Sequence, residues 1–316
     1  MKKTVLITGG TGFVGSHLTE FLSQDQNLDI HLTAFGPKPD FFSNLISDEK
    51  IHNLDLTDFQ ATTQLIKVLK PDQIYHLASF AAVGNSFEQA EKILINNTIL
   101  QLNLLEALKI HSPKSKVLSI CSADEYGLSL PQEIPINETH ELRPVNPYAV
   151  SKISQDMLAH AYHVSFGLNI VRVRPFNHIG ERQTVAFAVS AFAKQIAQIE
   201  AGQLKTLKVG NLQSVRDFTD VKDMVIAYNL LMEKGVGGQV YNVGSGQGLS
   251  MSEVLNLLVK LAKKPVVIEQ DQARMRPSDI QTMVADNSKI TALGWCPRIP
   301  LKQTLQRVLD YWRAQL

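Results

Sequence analysis

The chain has 316 residues, 44% of them hydrophobic, which is enough for one large core or two fused ones. Lys plus Arg number 31 against 30 for Asp plus Glu, a net charge of +1. That balance gives no reason to expect nucleic acid or an anionic membrane as partner, so any anionic ligand must be bound locally. Two cysteines, Cys121 and Cys296, cannot build a disulfide framework and show no paired metal-ligand spacing. Cys121 reads as a small core residue rather than a reactive thiol. The start, MKKTVLITGGTG, carries two lysines and an apolar run that glycines interrupt far short of a leader or a membrane span, so a cytoplasmic location is expected.

In chain order, strand-like runs alternate with amphipathic stretches through the first 175 residues. TVLIT, DIHLTAF, KIHNLDL, QIYHLAS, KVLSICS and NIVRVRP read as strands. FVGSHLTEFLSQ, FQATTQLIKVLK, ILINNTILQLNLLEALKI and YAVSKISQDMLAHAYHVSFG read as helices. This alternation predicts an α/β fold, a doubly wound parallel sheet with helices on both faces. After Pro175 the rhythm loosens: a helix (AVSAFAKQIAQIEAG), a strand (LKTLKVG), a returning alternation at RDFTDVKDMVIAYNLLMEKG and QVYNVGSG, then MSEVLNLLVKLAKK and a final helix, LKQTLQRVLDYWRAQL. A second, smaller α/β domain is expected, with boundaries at 1–174 plus 216–245 for the first domain and 175–215 plus 246–316 for the second. No repeats or low-complexity segments are present.

Thr8-Gly9-Gly10-Thr11-Gly12-Phe13-Val14-Gly15 falls between the first strand and the first helix. Glycines there let backbone N–H groups approach a pyrophosphate at a helix N-terminus, so Gly9, Thr11, Gly12, Phe13, Val14 and Gly15 are candidate cofactor-binding residues. The second strand ends Ala34-Phe35-Gly36-Pro37-Lys38, with Gly36 where an NAD site usually has an acid for the ribose 2′-hydroxyl. Lacking a carboxylate to repel a 2′-phosphate, and with Lys38 near, the site is expected to take NADP in preference to NAD.

Tyr148-Ala149-Val150-Ser151-Lys152 opens a helix, and the four-residue spacing puts Tyr148 and Lys152 on one face. A free phenol titrates near 10, so a neighbouring cation is needed for proton transfer near neutrality, and Lys152 is expected to lower the Tyr148 pKa. Tyr and Lys at this spacing also occur in helices without such a role. Ser122, in CSADEYG, supplies the hydroxyl that would accompany them.

With these pieces in place the chain resembles, over its whole length, the extended short-chain dehydrogenase/reductase family with its Rossmann domain. The resemblance rests on TGGTGFVG, DLTD at 55–58, YHLAS at 75–79, Asn97 before NLLEA, CSADEYG, YAVSK and RVRPFNHIG. It implies that Ser122 and Tyr148 bind the reacting oxygen, that Tyr148 moves the proton, and that Lys152 also holds the nicotinamide ribose. Asp55 and Leu56 match positions that hold adenine. Leu77, Ala78, Ser79 and Asn97 complete the implied cofactor set. The stretches RPFNHIGERQ, GNLQSVRDFTDVKD, VYNVGSG and RMRPSDI resemble the family's GDP-mannose branch, which implies a GDP-sugar substrate whose diphosphate meets Asn177, Arg216 and Arg276. Two phosphates favour arginine forks and side-chain amides, although Arg216 could instead pair with Asp217 or Asp220, and Arg276 could be a solvated loop charge. His178 reads as a structural histidine and Lys194 as a solvated one.

Within that branch a 4,6-dehydratase needs, beyond Tyr148, a carboxylate base at C5 and an acid for the C6 oxygen, whereas a reductase needs only a hydride donor and a proton donor. If 121–125 is extended, Ser122 and Asp124 share one side and Glu125 points away. The dehydratases it resembles carry Glu at position 124, a polar group at position 123 and a basic pair at 190–191. Here these positions hold Asp124, Ala123 and Ser190-Ala191, and the ending LGWCPRIPLKQTLQRVLDYWR is reductase-like. The resemblance therefore implies NAD(P)H-dependent reduction of the C4 keto group of GDP-4-keto-6-deoxy-D-mannose to GDP-D-rhamnose, with Asp124 beside the site. The alternatives are a GDP-mannose 4,6-dehydratase, another NDP-sugar epimerase or dehydratase, and a dinucleotide sensor without chemistry. The helices near 91–111 and 148–166 are apolar on more than one face. Burial would explain that, and so would the homodimer that the resemblance implies.

Overall fold

The alternation of apolar and glycine-bounded segments is realised as a chain of thirteen strands and nine α-helices among the described residues of the computed structural model, which are 2–36, 39, 42, 45–81, 86–275 and 280–316. In order these are β1 (Lys3–Thr8), α1 (Phe13–Leu22), β2 (Leu28–Ala34), β3 (Ile51–Asn53), α2 (Phe59–Leu69), β4 (Gln73–His76), α3 (Ala90–His111), β5 (Lys116–Ile120), α4 (Pro147–Phe166) and β6 (Asn169–Pro175). There follow β7 (Asn177–Ile179), α5 (Ala188–Glu200), β8 (Thr206–Val209), β9 (Val215–Asp220), α6 (Val221–Lys234), β10 (Val240–Val243), β11 (Gly248–Ser250) and α7 (Met251–Val259). The chain closes with β12 (Val267–Gln270), β13 (Thr282–Met283), α8 (Ser288–Thr291) and α9 (Leu301–Ala314). No described helix is long and apolar enough to cross a membrane.

Seven strands form one parallel sheet in the order β10-β6-β5-β4-β1-β2-β3. The chain moves from β1 toward β3 and then returns to β4 on the other side of β1. Ligands of doubly wound sheets bind outside the carboxyl ends of the strands at such a reversal. Strand alternation sends Leu6, Ile74, Val117 and Ile170 to one face, where they are in register and pack with Ile66 of α2, Leu104 and Leu108 of α3 and Ala159 of α4. Tyr75 goes to the other face and donates its hydroxyl to Asn229 of α6 at 3.1 Å.

The chain divides into two compact units, residues 1–125, 144–175 and 225–241 in the first and 126–143, 176–224 and 242–316 in the second. These limits differ from the expected ones. Residues 216–224 fall in the second unit because β9 pairs with β7, β11 and β13 there. Residues 126–143 join it too, held by Asn242 through Tyr126, Ile136 and Glu138. The second unit also contains the β8–β12 pair, and its core is built from α5, α7 and α9 through Phe192, Ile196, Leu255, Leu258, Leu305 and Leu309.

The turn after β1 is closed by glycines. Gly9 has φ +65°, and a Cβ at Gly15 would lie 2.4 Å from the Gly9 oxygen. Gly15→Ala is expected to lower the free energy of unfolding by about 1–3 kcal/mol through overpacking. Gly12→Ala, whose methyl would meet only the Gly9 oxygen at 3.2 Å, should lose less. Urea denaturation of the two variants provides the comparison, and equal losses would count against the packing argument.

Candidate functional site

Helix α4 begins where its sequence says it should. Asn146 is the N-cap, its side chain accepting the Ala149 N–H at 2.8 Å, and Pro147 occupies the first turn, where its missing N–H costs nothing. At the other end Gly167 closes the helix at φ +70°. One stripe of α4 then carries Tyr148, Lys152 and Asp156 at four-residue intervals, all three buried.

Opposite that stripe β5 stops at Ile120. Cys121 still continues the ladder, its N–H bonding the Val173 oxygen at 2.8 Å, but Ala123–Glu125 coil into a 3-10 turn. The extended reading of 121–125 is therefore corrected. In a 3-10 turn side chains repeat every three residues rather than every two, so Ser122 and Glu125 are brought back together. Glu125 has no exposed surface, and its Oε1 accepts the Ser122 N–H at 2.9 Å. The Asp124 N–H donates to Ser122 Oγ at 3.1 Å, and the Ser122 side chain hydrogen-bonds the Tyr148 phenol. Ala123 presents a buried methyl.

Burial pushes the Tyr148 phenol well above its ordinary pKa, and the charge of Asp124 adds to that shift. This is opposite to the lowering expected from Lys152. The Lys152 ammonium donates instead to the Ile120 oxygen at 2.7 Å and to Gln155 Oε1 at 2.8 Å, and its own pKa is pulled down by burial. The arrangement offers a neutral buried phenol, a serine hydroxyl beside it and a carboxylate next to both, which is equipment for giving a proton to an oxygen.

A charge cluster that sequence reasoning missed lies behind this pair. Ile170, Arg172 and Arg174 alternate onto the face of β6 covered by α4. There Asp156 Oδ1 accepts from Arg172 at 2.7 Å and Oδ2 from Arg174 Nε at 2.9 Å. Arg174 Nε also lies 3.2 Å from Glu125 Oε2. Glu125 is pushed up by burial and by Asp156, while Asp156 is held down by the two arginines against its own burial. The signal was available in VRVRP, because two arginines on the core face of a strand require buried carboxylates. Cys121, beside them, has its thiol pushed up by burial and is a packed core residue.

The remaining candidates of the first unit gather at the carboxyl ends of β1, β2 and β4. Gly12 caps α1, with Thr11, Phe13 and Val14 around it and Gly15 in the first turn. Leu77, Ala78 and Ser79 directly follow β4. The Ala78 N–H bonds Thr8 Oγ1 at 3.2 Å, and the Ser79 hydroxyl is buried with no hydrogen-bond partner among the described residues. Asn97 is fully buried and clamps this segment, accepting the Phe80 N–H at 2.7 Å and donating to Ser151 Oγ at 2.9 Å. Gly36, at φ +108°, donates to Asn53 Oδ1 at 3.3 Å. The exposed Asp55 accepts from the Thr57 N–H and hydroxyl, and Leu56 is buried beside it. Lys38 lies outside the described residues.

In the second unit Asn177 on β7 and Arg216 on β9 belong to one small sheet. Arg216 donates to the Val215 oxygen at 2.9 Å. Asp217 is engaged with Ser245, Gly246 and Ala285, and Asp220 with Thr304 and Arg307. Arg276 lies outside the described residues. His178 Nδ1 donates to the Phe176 oxygen at 3.0 Å, and burial lowers its pKa. Ser190 donates to the Gln183 oxygen and accepts from Trp312 Nε1 at 3.0 Å. Lys194, expected to be solvated, stands 5.1 Å over the Trp312 ring, since a lysine stem on an apolar helix covers neighbouring aromatic surface.

A family model described as GDP-mannose 4,6 dehydratase matches residues 6–308. The GDP-6-deoxy-D-mannose reductase of Pseudomonas aeruginosa is 34% identical over 318 residues, covering 100% of this chain and 99% of that protein. A GDP-mannose 4,6-dehydratase of Vibrio cholerae is 28% identical over 360 residues, with 99% and 95% covered. The structure of RMD from Pseudomonas aeruginosa complexed with NADPH superposes with a TM-score of 0.87 at 33% identity, each chain covered in full. Matched nearly end to end by the family model and by a full-length relative, with the glycine turn and the Ser122–Tyr148–Lys152 set in place, the chain belongs to the GDP-mannose 4,6-dehydratase family of extended short-chain dehydrogenases/reductases.

Proposed function

We propose that the protein reduces the C4 keto group of GDP-4-keto-6-deoxy-D-mannose to give GDP-D-rhamnose, using NADPH or NADH. The observation that carries this reading is the Ser122–Tyr148 pair. Its phenol is held in the protonated state by burial, which is the state a proton donor needs. The relative named a GDP-6-deoxy-D-mannose reductase, similar over its full length, supports the same reading.

The residues present fit a dinucleotide. The tight Gly9–Gly15 approach leaves no room for a side chain in the turn before α1, and the Ser79 hydroxyl is a buried group in want of a partner. Gly9, Thr11, Gly12, Phe13, Val14 and Gly15 would hold the pyrophosphate, Gly36 the adenosine ribose, and Asp55 and Leu56 the adenine. Leu77, Ala78, Ser79, Tyr148 and Lys152 would hold the nicotinamide end, and Asn97 would keep the 77–80 segment in position. The reduced nicotinamide supplies a hydride when bound. Gly36 supports NADP, since no carboxylate stands there to repel a 2′-phosphate, and the similar RMD structure contains NADPH.

For the substrate, Ser122 Oγ and the Tyr148 hydroxyl would hold the C4 oxygen. As negative charge develops on it, Tyr148 transfers its proton and Ser122 donates a hydrogen bond, its hydroxyl fixed from behind by the Asp124 N–H. Arg216, Asn177 and Arg276 would bind the diphosphate. A dehydratase reading draws on Asp124, which stands beside both hydroxyls. Against it, Ala123 offers no acid or base, and the Ser190 hydroxyl is engaged inside its own unit. Helices α3 and α4 pack together and expose Ile95, Val150, Met157 and Val164, which supports a homodimer through these helices.

In the direct assay the protein receives GDP-mannose with or without a separate 4,6-dehydratase, and either NADPH or NADH. Cofactor oxidation is expected only with the dehydratase present and faster with NADPH, whereas formation of the 4-keto sugar by this protein alone would sink the reductase reading. Tyr148→Phe should cut kcat by about 10²–10⁴-fold, the usual contribution of a positioned acid, while a fluorescence titration shows cofactor binding retained. Unchanged turnover would remove Tyr148 from the mechanism. Sedimentation at micromolar concentration should return the mass of two chains, and a single-chain mass would overturn the dimer.

A further inference from the structure

We propose that Glu125 is a positioning residue for the Ser122–Tyr148 pair, its carboxyl gripping the Ser122 N–H from inside the core and so setting the direction in which the Ser122 hydroxyl is presented. The proposal rests on the reductase reading for its kinetic arm only.

The geometry fixes Ser122 at three points. Its N–H is held at 2.9 Å by Glu125 Oε1, its Oγ accepts the Asp124 N–H at 3.1 Å, and its side chain meets the Tyr148 phenol. Releasing the first point frees the turn to rotate about the other two. Glu125 is itself immobilised by three elements. It belongs to the 3-10 turn after β5, its Oε2 lies 3.2 Å from Arg174 Nε on β6, and its carboxyl stands within 4.8 Å of that of Asp156 on α4, which in turn holds Arg172. The charged and titratable groups facing it are thus Asp156, Arg172, Arg174, Cys121, Lys152 and Tyr148.

A buried carboxyl with no exposed surface needs a reason to be there, since an apolar side chain would fill the space without a desolvation penalty. Its Oε1 accepts the backbone N–H of Ser122, the residue that carries the reactive hydroxyl. Helix α4 and β6 are already joined by Asp156 with Arg172 and Arg174, so their cohesion does not require Glu125. What Glu125 adds is the hold on the Ser122 N–H.

Three variants test this. Glu125→Gln keeps an oxygen for the Ser122 N–H and an N–H for Asp156, and is expected to retain kcat within about threefold. Glu125→Leu fills the volume without an acceptor and is expected to lose kcat by about 10–10²-fold, the scale of a misplaced group, with unchanged KM for the cofactor. Hydrogen exchange supplies a readout independent of activity. In Glu125→Leu the Ser122 amide should lose protection while the Cys121 amide, bonded to Val173, keeps it, and Glu125→Gln should protect both. Should the leucine variant not fold, Glu125→Asp, one methylene too short to reach Ser122, is expected to show the same kinetic and exchange defects. Wild-type kcat in the leucine variant, or in the aspartate variant where that replaces it, would overturn the proposal, as would a protected Ser122 amide. If the wild-type protein does not reduce the 4-keto sugar, the functional reading fails while the exchange experiment still judges Glu125.

Discussion

Asp156 is the residue on which the candidate site depends. A carboxylate with no exposed surface survives in a core only when its charge is compensated, and here Arg172 and Arg174 of β6 supply that compensation to a residue of α4. The pairing fixes the rotation of α4 against the sheet. Because Tyr148 and Lys152 lie on the same stripe as Asp156, eight and four residues before it respectively, that rotation also aims both of them. Removing one member of such a cluster leaves the others buried and uncompensated, an effect of about 3–5 kcal/mol. The site therefore rests on core electrostatics rather than on flexible loops.

The burial of Tyr148 explains why the phenol is a donor. Burial disfavours the phenolate, and the charge of Asp124 adds to that effect. Lys152, the group best able to reverse that effect, is turned to the Ile120 carbonyl and Gln155. Reduction of a ketone asks only that the proton already be on Tyr148 when charge appears on the substrate oxygen.

Much of this was legible in the sequence where local chemistry decides. The Asn146-Pro147 start of α4, the glycine turn after β1 and the parallel sheet all follow from caps, close approaches and alternation, which need no distant partner. The stretch 121–125 was not legible in that way. Alternation holds only while a strand continues, and β5 gives way to a 3-10 turn at Ala123, so Glu125 folds inward instead of away. The limits of the two units were hidden for a related reason: β9 follows a helix and strand like those of the first unit, but its pairing with β7, β11 and β13 is long-range. The approach of Lys194 to the Trp312 ring was not legible either, because nothing local announces Trp312, 118 positions later.

The two carboxylates of CSADEYG thus divide along a line that spacing alone could not draw. Asp124 stays at the reacting side, where its backbone N–H holds the serine hydroxyl and its charge keeps the phenol protonated. Glu125 sits on the core side, where its Oε1 accepts the Ser122 backbone N–H. One residue acts by its charge and the other by its shape and hydrogen bonding. A site arranged so needs no second acid or base at position 123, and the buried methyl of Ala123 is consistent with chemistry that transfers a single proton.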